Sequence, residues 1–185
     1  MNGGSVKFAE TALPGAWVID LEPHSDERGY FARTFCRDEF AARGLPTSFV
    51  QCNTSFNLKR GTLRGMHFQR APHGEAKLVR CTRGAVHDVI VDLRPDSPAC
   101  GRWAAFELSA DNGRALFIPE GVAHGFQTLV DASEVLYQMA AMFHSASADG
   151  VRWNDPAFGI AWPLTDPILS GRDAAWGDFV PSAVK

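Results

Sequence analysis

Leu63-Arg64-Gly65-Met66-His67-Phe68-Gln69 places an Arg, a His and a Gln within seven residues of a segment that otherwise reads as strand. A strand turns successive side chains to opposite faces. Strict alternation puts Leu63, Gly65, His67 and Gln69 on one face and Arg64, Met66 and Phe68 on the other. For Arg64 and His67 to share a pocket, the ladder must bend between them, and Gly65 is the place for a bulge. Taken alone, the stretch is equally well read as a half-buried strand whose His is a hydrogen-bonded core residue. The rest of the chain decides between the two.

On its C-terminal side, Ala71-Pro72-His73-Gly74-Glu75 reads as a loop with His73 exposed. Strands follow from Lys77 to Arg80 and from Ala85 to Leu93, parted by Arg83-Gly84, and Val89-Ile90-Val91 has the apolar run of a buried strand. Lys77 shares a face with Val79 and Cys81. Lysines are seldom buried unpaired, so an inward-facing Lys77 points to function. Further strands fall around Trp103–Leu108, at Ala115–Ile118, and from Glu134 to Ala140, where Val135, Tyr137 and Met139 share a face. On the N-terminal side, Thr47 to Phe56 reads as strand with Gln51 and Asn53 on one face. Asp38 to Arg43 reads as a short helix stopped by Gly44 and Pro46, and Trp17 to Leu21 as a strand. Residues 1–15 read as a loose start and the chain beyond Ser145 as loop, until Leu169-Ser170-Gly171-Arg172-Asp173 opens a short terminal helix. Many short strands with Gly and Pro turns and little helix predict a mainly β single domain, a sandwich or small barrel with a small-molecule site at its mouth.

The chain has 185 residues, 45% hydrophobic and 21% charged, with a formal net charge of -3. That balance is ordinary for a globular domain and offers no broad field to nucleic acid or an anionic membrane. An anionic ligand would have to be held by local cations, and Arg28 beside Gly29 is one candidate. No apolar run approaches the roughly 20 residues of a membrane span, and Met1-Asn2-Gly3-Gly4-Ser5 has no signal pattern. The four cysteines, Cys36, Cys52, Cys81 and Cys100, show no C-x-x-C spacing and read as reduced thiols of a cytoplasmic protein.

Two Gly-framed His segments stand about half the domain apart: Gly61 precedes His67, and Pro119 and Gly121 precede His124. The pairing resembles the two motifs of the cupin superfamily, a jelly-roll barrel of two antiparallel sheets. Metal-binding cupins usually carry His-x-His in the first motif. Here Gln69 holds the second position, and a neutral amide is a poor ligand for the metals such sites hold. A site without metal or other cofactor is therefore expected.

Within the cupins the chain closely resembles the dTDP-4-dehydrorhamnose 3,5-epimerase family. The resemblance rests on Asp26-Glu27-Arg28-Gly29, on the Leu63–Gln69 stretch, on Lys77-Leu78-Val79-Arg80, on Ile118-Pro119-Glu120-Gly121-Val122-Ala123-His124-Gly125-Phe126 and on Trp153-Asn154-Asp155. It runs in order from about Trp17 to Asp173. It implies a substrate that is a nucleotide diphospho-4-keto-6-deoxyhexose, most simply the dTDP sugar. The ketone at C4 acidifies the hydrogens at C3 and C5, so the reaction needs a base, an enolate stabiliser and an acid on the far side. By resemblance His67 is the base, Asp173 the carboxylate that orients it, Lys77 the cation at the enolate oxygen and Tyr137 the acid. Arg28, Gln51, Asn53, Arg64, His124, Phe143 and Arg172 match substrate-binding positions. The family forms homodimers with crossing N-terminal strands, which implies that Arg28 reaches the neighbouring pocket.

Departures from the family pattern are Arg33 for a common Glu, Cys52 for the Asp between Gln51 and Asn53, and Gln138 for a Lys after Tyr137. Met142-Phe143 replaces a Tyr-rich pair, and Ala148 stands where an acid is common. The proton-transfer set is intact while the rim differs, so a different nucleotide sugar, or inversion at one carbon only, is the alternative expectation. A metal-dependent cupin and a non-catalytic sugar-binding module are more remote ones.

Overall fold

The computed structural model describes residues 4–180. Residues 1–3, within the start read as loose, and residues 181–185 lie outside the described residues. One sheet holds six strands in the spatial order β1 (Val6–Glu10), β2 (Trp17–Leu21), β10 (Ala115–Ile118), β7 (Lys77–Arg83), β12 (Ser133–Met139) and β5 (Gln51–Asn57). The other holds five, in the order β13 (Ala148–Gly150), β6 (Leu63–Gln69), β11 (Val122–Thr128), β8 (Ala85–Asp92) and β9 (Trp103–Ser109). A separate hairpin joins β3 (His24–Asp26) to β4 (Gly29–Phe31), and two short helices, α1 (Arg37–Ala41) and α2 (Gly171–Ala174), lie outside the sheets. Neighbouring strands are antiparallel and the chain passes repeatedly from one sheet to the other, so the architecture is the expected jelly-roll barrel.

Alternation sorts the apolar side chains into three layers. Val79, Cys81, Val86, Ile90, Leu116, Phe126 and Val135 point between the sheets. Met66, Phe68, Val89, Val91 and Ala123 point out of the five-stranded sheet and are covered by Val151, Phe158, Trp162 and Phe179 of the C-terminal segment. Ile19, Leu78 and Phe117 point out of the six-stranded sheet beneath Phe40 of α1 and Phe35 and Phe49. The run Val89-Ile90-Val91 is apolar throughout because both of its faces are covered, and all three residues are fully buried.

Two expectations are corrected. Residues 6–10 are not a loose start: β1 pairs with β2 along its whole length, from Val6 opposite Leu21 to Glu10 opposite Trp17. The stretch is short, and what fixes it is a partner strand and the packing of Phe8 edge-on to Trp17 and Phe40. The segment after Ser145 is not all loop: β13 pairs Ala148, Asp149 and Gly150 with Gln69, Phe68 and His67. Its composition carries no strand signal, because β6 supplies the pairing.

The bulge at Gly65 is present. His124 faces His67 while Phe126 faces Arg64, so β6 carries one residue more than β11 between these pairs. The phase reverses there. Met66 and Phe68 stay in the outer layer, and Arg64 joins His67 and Gln69 on the cavity side. Gly65 has φ +137°, and a β-carbon on it would lie 2.5 Å from the Gly125 α-carbon. Only glycine tolerates both conditions.

The C-terminal segment is fastened to the same strands. The Gln127 amide bonds the backbone of Leu164 through both its nitrogen and its oxygen, each at 3.0 Å. Ile168 forms a bridge to Thr62, exchanging backbone bonds of 2.9 Å with Gly61 and Leu63. These ties bring α2 to the barrel mouth beside β6.

Candidate active site

A cavity of about 490 Å³ opens between the two sheets. From the five-stranded sheet, β6 contributes Arg64 and His67, and β11 contributes His124. From the facing sheet, β5 contributes Gln51 and Asn53, β7 contributes Lys77, and β12 contributes Tyr137. Phe143 and Arg172 stand at its rim from the loop after β12 and from α2. Nine of the proposed site residues thus line one space, and Asp173 stands directly behind His67.

The Asp173 carboxylate oxygen Oδ1 lies 2.5 Å from His67 Nε2. Ser170 starts α2 as its N-cap, and its hydroxyl accepts from the Asp173 amide at 3.1 Å. The capping serine therefore fixes the backbone that carries the carboxylate. Burial opposes ionisation of Asp173. The bond and charge of His67, with help from Ser170 and Trp176, outweigh it and hold the carboxyl below its ordinary range. Asp173 is 4% exposed while the His67 side chain remains 41% exposed to the cavity, so one end of the dyad is sheltered and the other meets the ligand.

On the opposite wall, the Tyr137 hydroxyl lies 3.2 Å from Ser55 Oγ. Burial pushes the phenol well above its ordinary value, and the charge of Asp88 adds to this, while Ser55 and Arg64 act against it. Tyr137 thus keeps its proton at neutral pH, as a donor must. Lys77 is buried at 5% exposed, and its ammonium lies 2.9 Å from Glu75 Oε1, also buried. The pair keeps a cation at the cavity wall without leaving it uncompensated. His124 sits opposite His67 across the ladder and bonds Asp88 Oδ2 through Nε2 at 2.8 Å. Asp88 is fully buried, and its Oδ1 has no partner.

The chain as a whole, from residue 10 to residue 180, is matched elsewhere. A family model described as dTDP-4-dehydrorhamnose 3,5-epimerase matches residues 10–180. The chain belongs to this family. The dTDP-4-dehydrorhamnose 3,5-epimerase of Methanothermobacter thermautotrophicus is 47% identical to it over 174 residues, covering 92% of each chain. The dTDP-4-dehydrorhamnose 3-epimerase of Streptomyces niveus is 41% identical over 169 residues, covering 91% of this chain and 81% of its own. Among solved structures, the Bacillus anthracis dTDP-4-dehydrorhamnose 3,5-epimerase with TDP and PPi bound superposes with a TM-score of 0.91 at 40% identity, covering 95% of this chain and all of that one. The family is one of isomerases, by its name.

Arg28 is the one proposed site residue that this chain does not bring to its own cavity. It sits at the turn of the β3–β4 hairpin with its side chain 84% exposed, paired with Asp26 at 2.5 Å. The departures from the epimerase pattern fall mostly outside the cavity too. Cys52 and Gln138 face each other across β5 and β12, and neither lines it. Arg33 is tied to Glu39 of α1 at 3.0 Å. Ala148 does line the cavity, and Asp149 beside it pairs with Arg70 at 3.2 Å.

Gln69 turns out to be a structural hub. Its amide nitrogen bonds the His73 carbonyl at 3.0 Å and its oxygen accepts from the His144 amide at 2.6 Å, tying two rim loops to β6. Reading the sequence missed Glu75, Asp88 and Ser55. Glu75 lies in a loop with nothing to mark it. Asp88 carried a signal, a carboxylate directly before the apolar run Val89-Ile90-Val91, which the burial of that run makes informative. Ser55 follows Gln51 and Asn53 at the same period of two, so the face pattern already pointed to it.

Proposed function

We propose that this chain epimerises a nucleotide diphospho-4-keto-6-deoxyhexose at C3 and C5, with dTDP-4-keto-6-deoxyglucose as the substrate. The observation that carries the reading is a His–carboxylate dyad on one wall of the cavity and a protonated, half-buried tyrosine on the other. His67 removes the hydrogen α to the C4 ketone, and the C–H electrons pass through the new C=C bond to the oxygen. Lys77 steadies that enolate oxygen, Asp173 steadies the imidazolium, and Tyr137 returns a proton to the opposite face. Arg64 and Arg172 are the cavity's candidates for the diphosphate, and Phe143 for stacking on the base.

The working unit we infer is a homodimer. Arg28 projects from an exposed hairpin, beside the exposed Tyr30 and Phe31, and serves the partner's cavity. The protein works in the cytoplasm on this reading. All four cysteines are free thiols, and no helix among the described residues is long and apolar enough to cross a membrane.

The test is incubation with dTDP-4-keto-6-deoxyglucose in heavy water, followed by NMR. Deuterium should enter at both C3 and C5, and His67→Ala should abolish entry at both. Deuterium at C3 alone would make the chain a 3-epimerase, the activity named for the Streptomyces niveus relative. Binding of the nucleotide sugar without any exchange would overturn the catalytic reading.

A further inference from the structure

Trp176 lies one helical turn beyond Asp173 and belongs to none of the roles assigned so far. Its ring meets the His67 imidazole edge-on, with centroids 6.2 Å apart and planes at 65°. Its other side rests on Gly150, where an added β-carbon would fall 2.5 Å from the indole Cε2. Gly150 is the strand partner of His67. The indole is therefore wedged between the backbone of β13 and the imidazole, in a slot that exists only because residue 150 has no side chain. The Arg172 guanidinium stands 5.2 Å from the ring on the cavity side. The indole N–H is buried and has no acceptor within hydrogen-bond geometry.

We propose that Trp176 is a positioning residue for the dyad: its ring, wedged against Gly150, fixes the rotation of His67 and so keeps the imidazole aligned with the Asp173 carboxylate. An imidazolium held in line with a carboxylate is favoured over the neutral ring, and a ring free to turn loses part of that support. The indole also excludes water from the outer edge of the dyad, which strengthens every interaction inside it. The inference deepens the reading of His67 as the base and rests on it.

Two measurements test it separately from that reading. The first needs no substrate: the His67 imidazole is followed by nitrogen-edited NMR as pH is varied. In Trp176→Ala, which removes the ring, the titration midpoint should move to lower pH. Trp176→Phe, which keeps an aromatic edge against the imidazole, should return it towards the wild-type value. The second follows turnover. In Trp176→Ala, kcat should fall about 10-fold, the scale of a base held slightly out of line, with KM within about twofold and the acid limb of the pH–rate profile displaced in the same direction as the midpoint, and Trp176→Phe should restore most of both. An unmoved midpoint in Trp176→Ala, or a loss of kcat with an unmoved limb, would reduce Trp176 to a structural wedge and overturn the proposal. A midpoint shift in Trp176→Ala alongside wild-type protein that exchanges no deuterium would leave Trp176 positioned as described and refute the epimerase reading instead.

Discussion

His67 and Asp173 stand 106 positions apart in the chain and 2.5 Å apart in space. Replacing the carboxylate by an amide keeps the shape and removes the charge that steadies the imidazolium. Asp173→Asn should therefore lower kcat by about 10²- to 10⁴-fold with little change in KM, as measured by steady-state turnover. Because its folded-state carboxyl titrates below the ordinary value, Asp173 contributes stability above the usual carboxylate range, and that contribution is lost as pH falls through the folded value. Asn at this position should make acid unfolding less steep. Glu75→Gln tests the other buried pair. It leaves the Lys77 ammonium in the wall without its counter-ion and should cost about 3–5 kcal/mol by urea denaturation. His67 and Lys77 were legible from their motifs. Glu75 was not, because a loop carboxylate declares itself only once the cation it neutralises is seen to be buried.

Strand β6 delivers both a cation and a base to one cavity only because Gly65 adds a residue to it. Gly65→Ala should place a β-carbon against Gly125 in a conformation that L residues avoid, at a cost of at least about 2 kcal/mol. Thermal unfolding would reveal the loss. Alternation alone would have put Arg64 and His67 on opposite faces; the glycine between them was the readable sign that alternation fails there. Strand β13 was not readable, since pairing with β6 rather than composition makes it a strand. On β8, His87 lies under Trp162 with its Nε2 buried and unpartnered. Burial holds its imidazole below the ordinary value, against the pull of Asp88 and Glu107. The folded ring thus resists a proton that the unfolded chain accepts near pH 6.5. Stability is full above that pH and declines as pH falls through it. The melting temperature should drop between pH 7.5 and 5.5, and His87→Gln should flatten that drop.

The jelly roll, its two sheets and the cavity between them followed from short strands, turn residues and two spaced histidine segments. What one chain's sequence leaves unspoken is where Arg28 acts, because on the proposed reading its place depends on a second copy. If each cavity is completed by the partner's hairpin, Arg28→Ala and His67→Ala homodimers are both impaired, yet mixed dimers contain one intact site. Unfolding and refolding the two variants together should recover about a quarter of wild-type turnover, the share expected from random C2 pairing. Sedimentation should report a dimer throughout. Recovery of nothing would return Arg28 to its own chain's cavity, and an unimpaired Arg28→Ala homodimer would place it outside the reaction. The order in which the pieces appear along the chain has a consequence of its own. Every strand of the barrel is laid down by Gly150, whereas the carboxylate that pairs with His67 arrives at position 173. A growing polypeptide thus acquires its cavity before it acquires the dyad, and completion of the pair waits on the segment around α2 being drawn down over the rim.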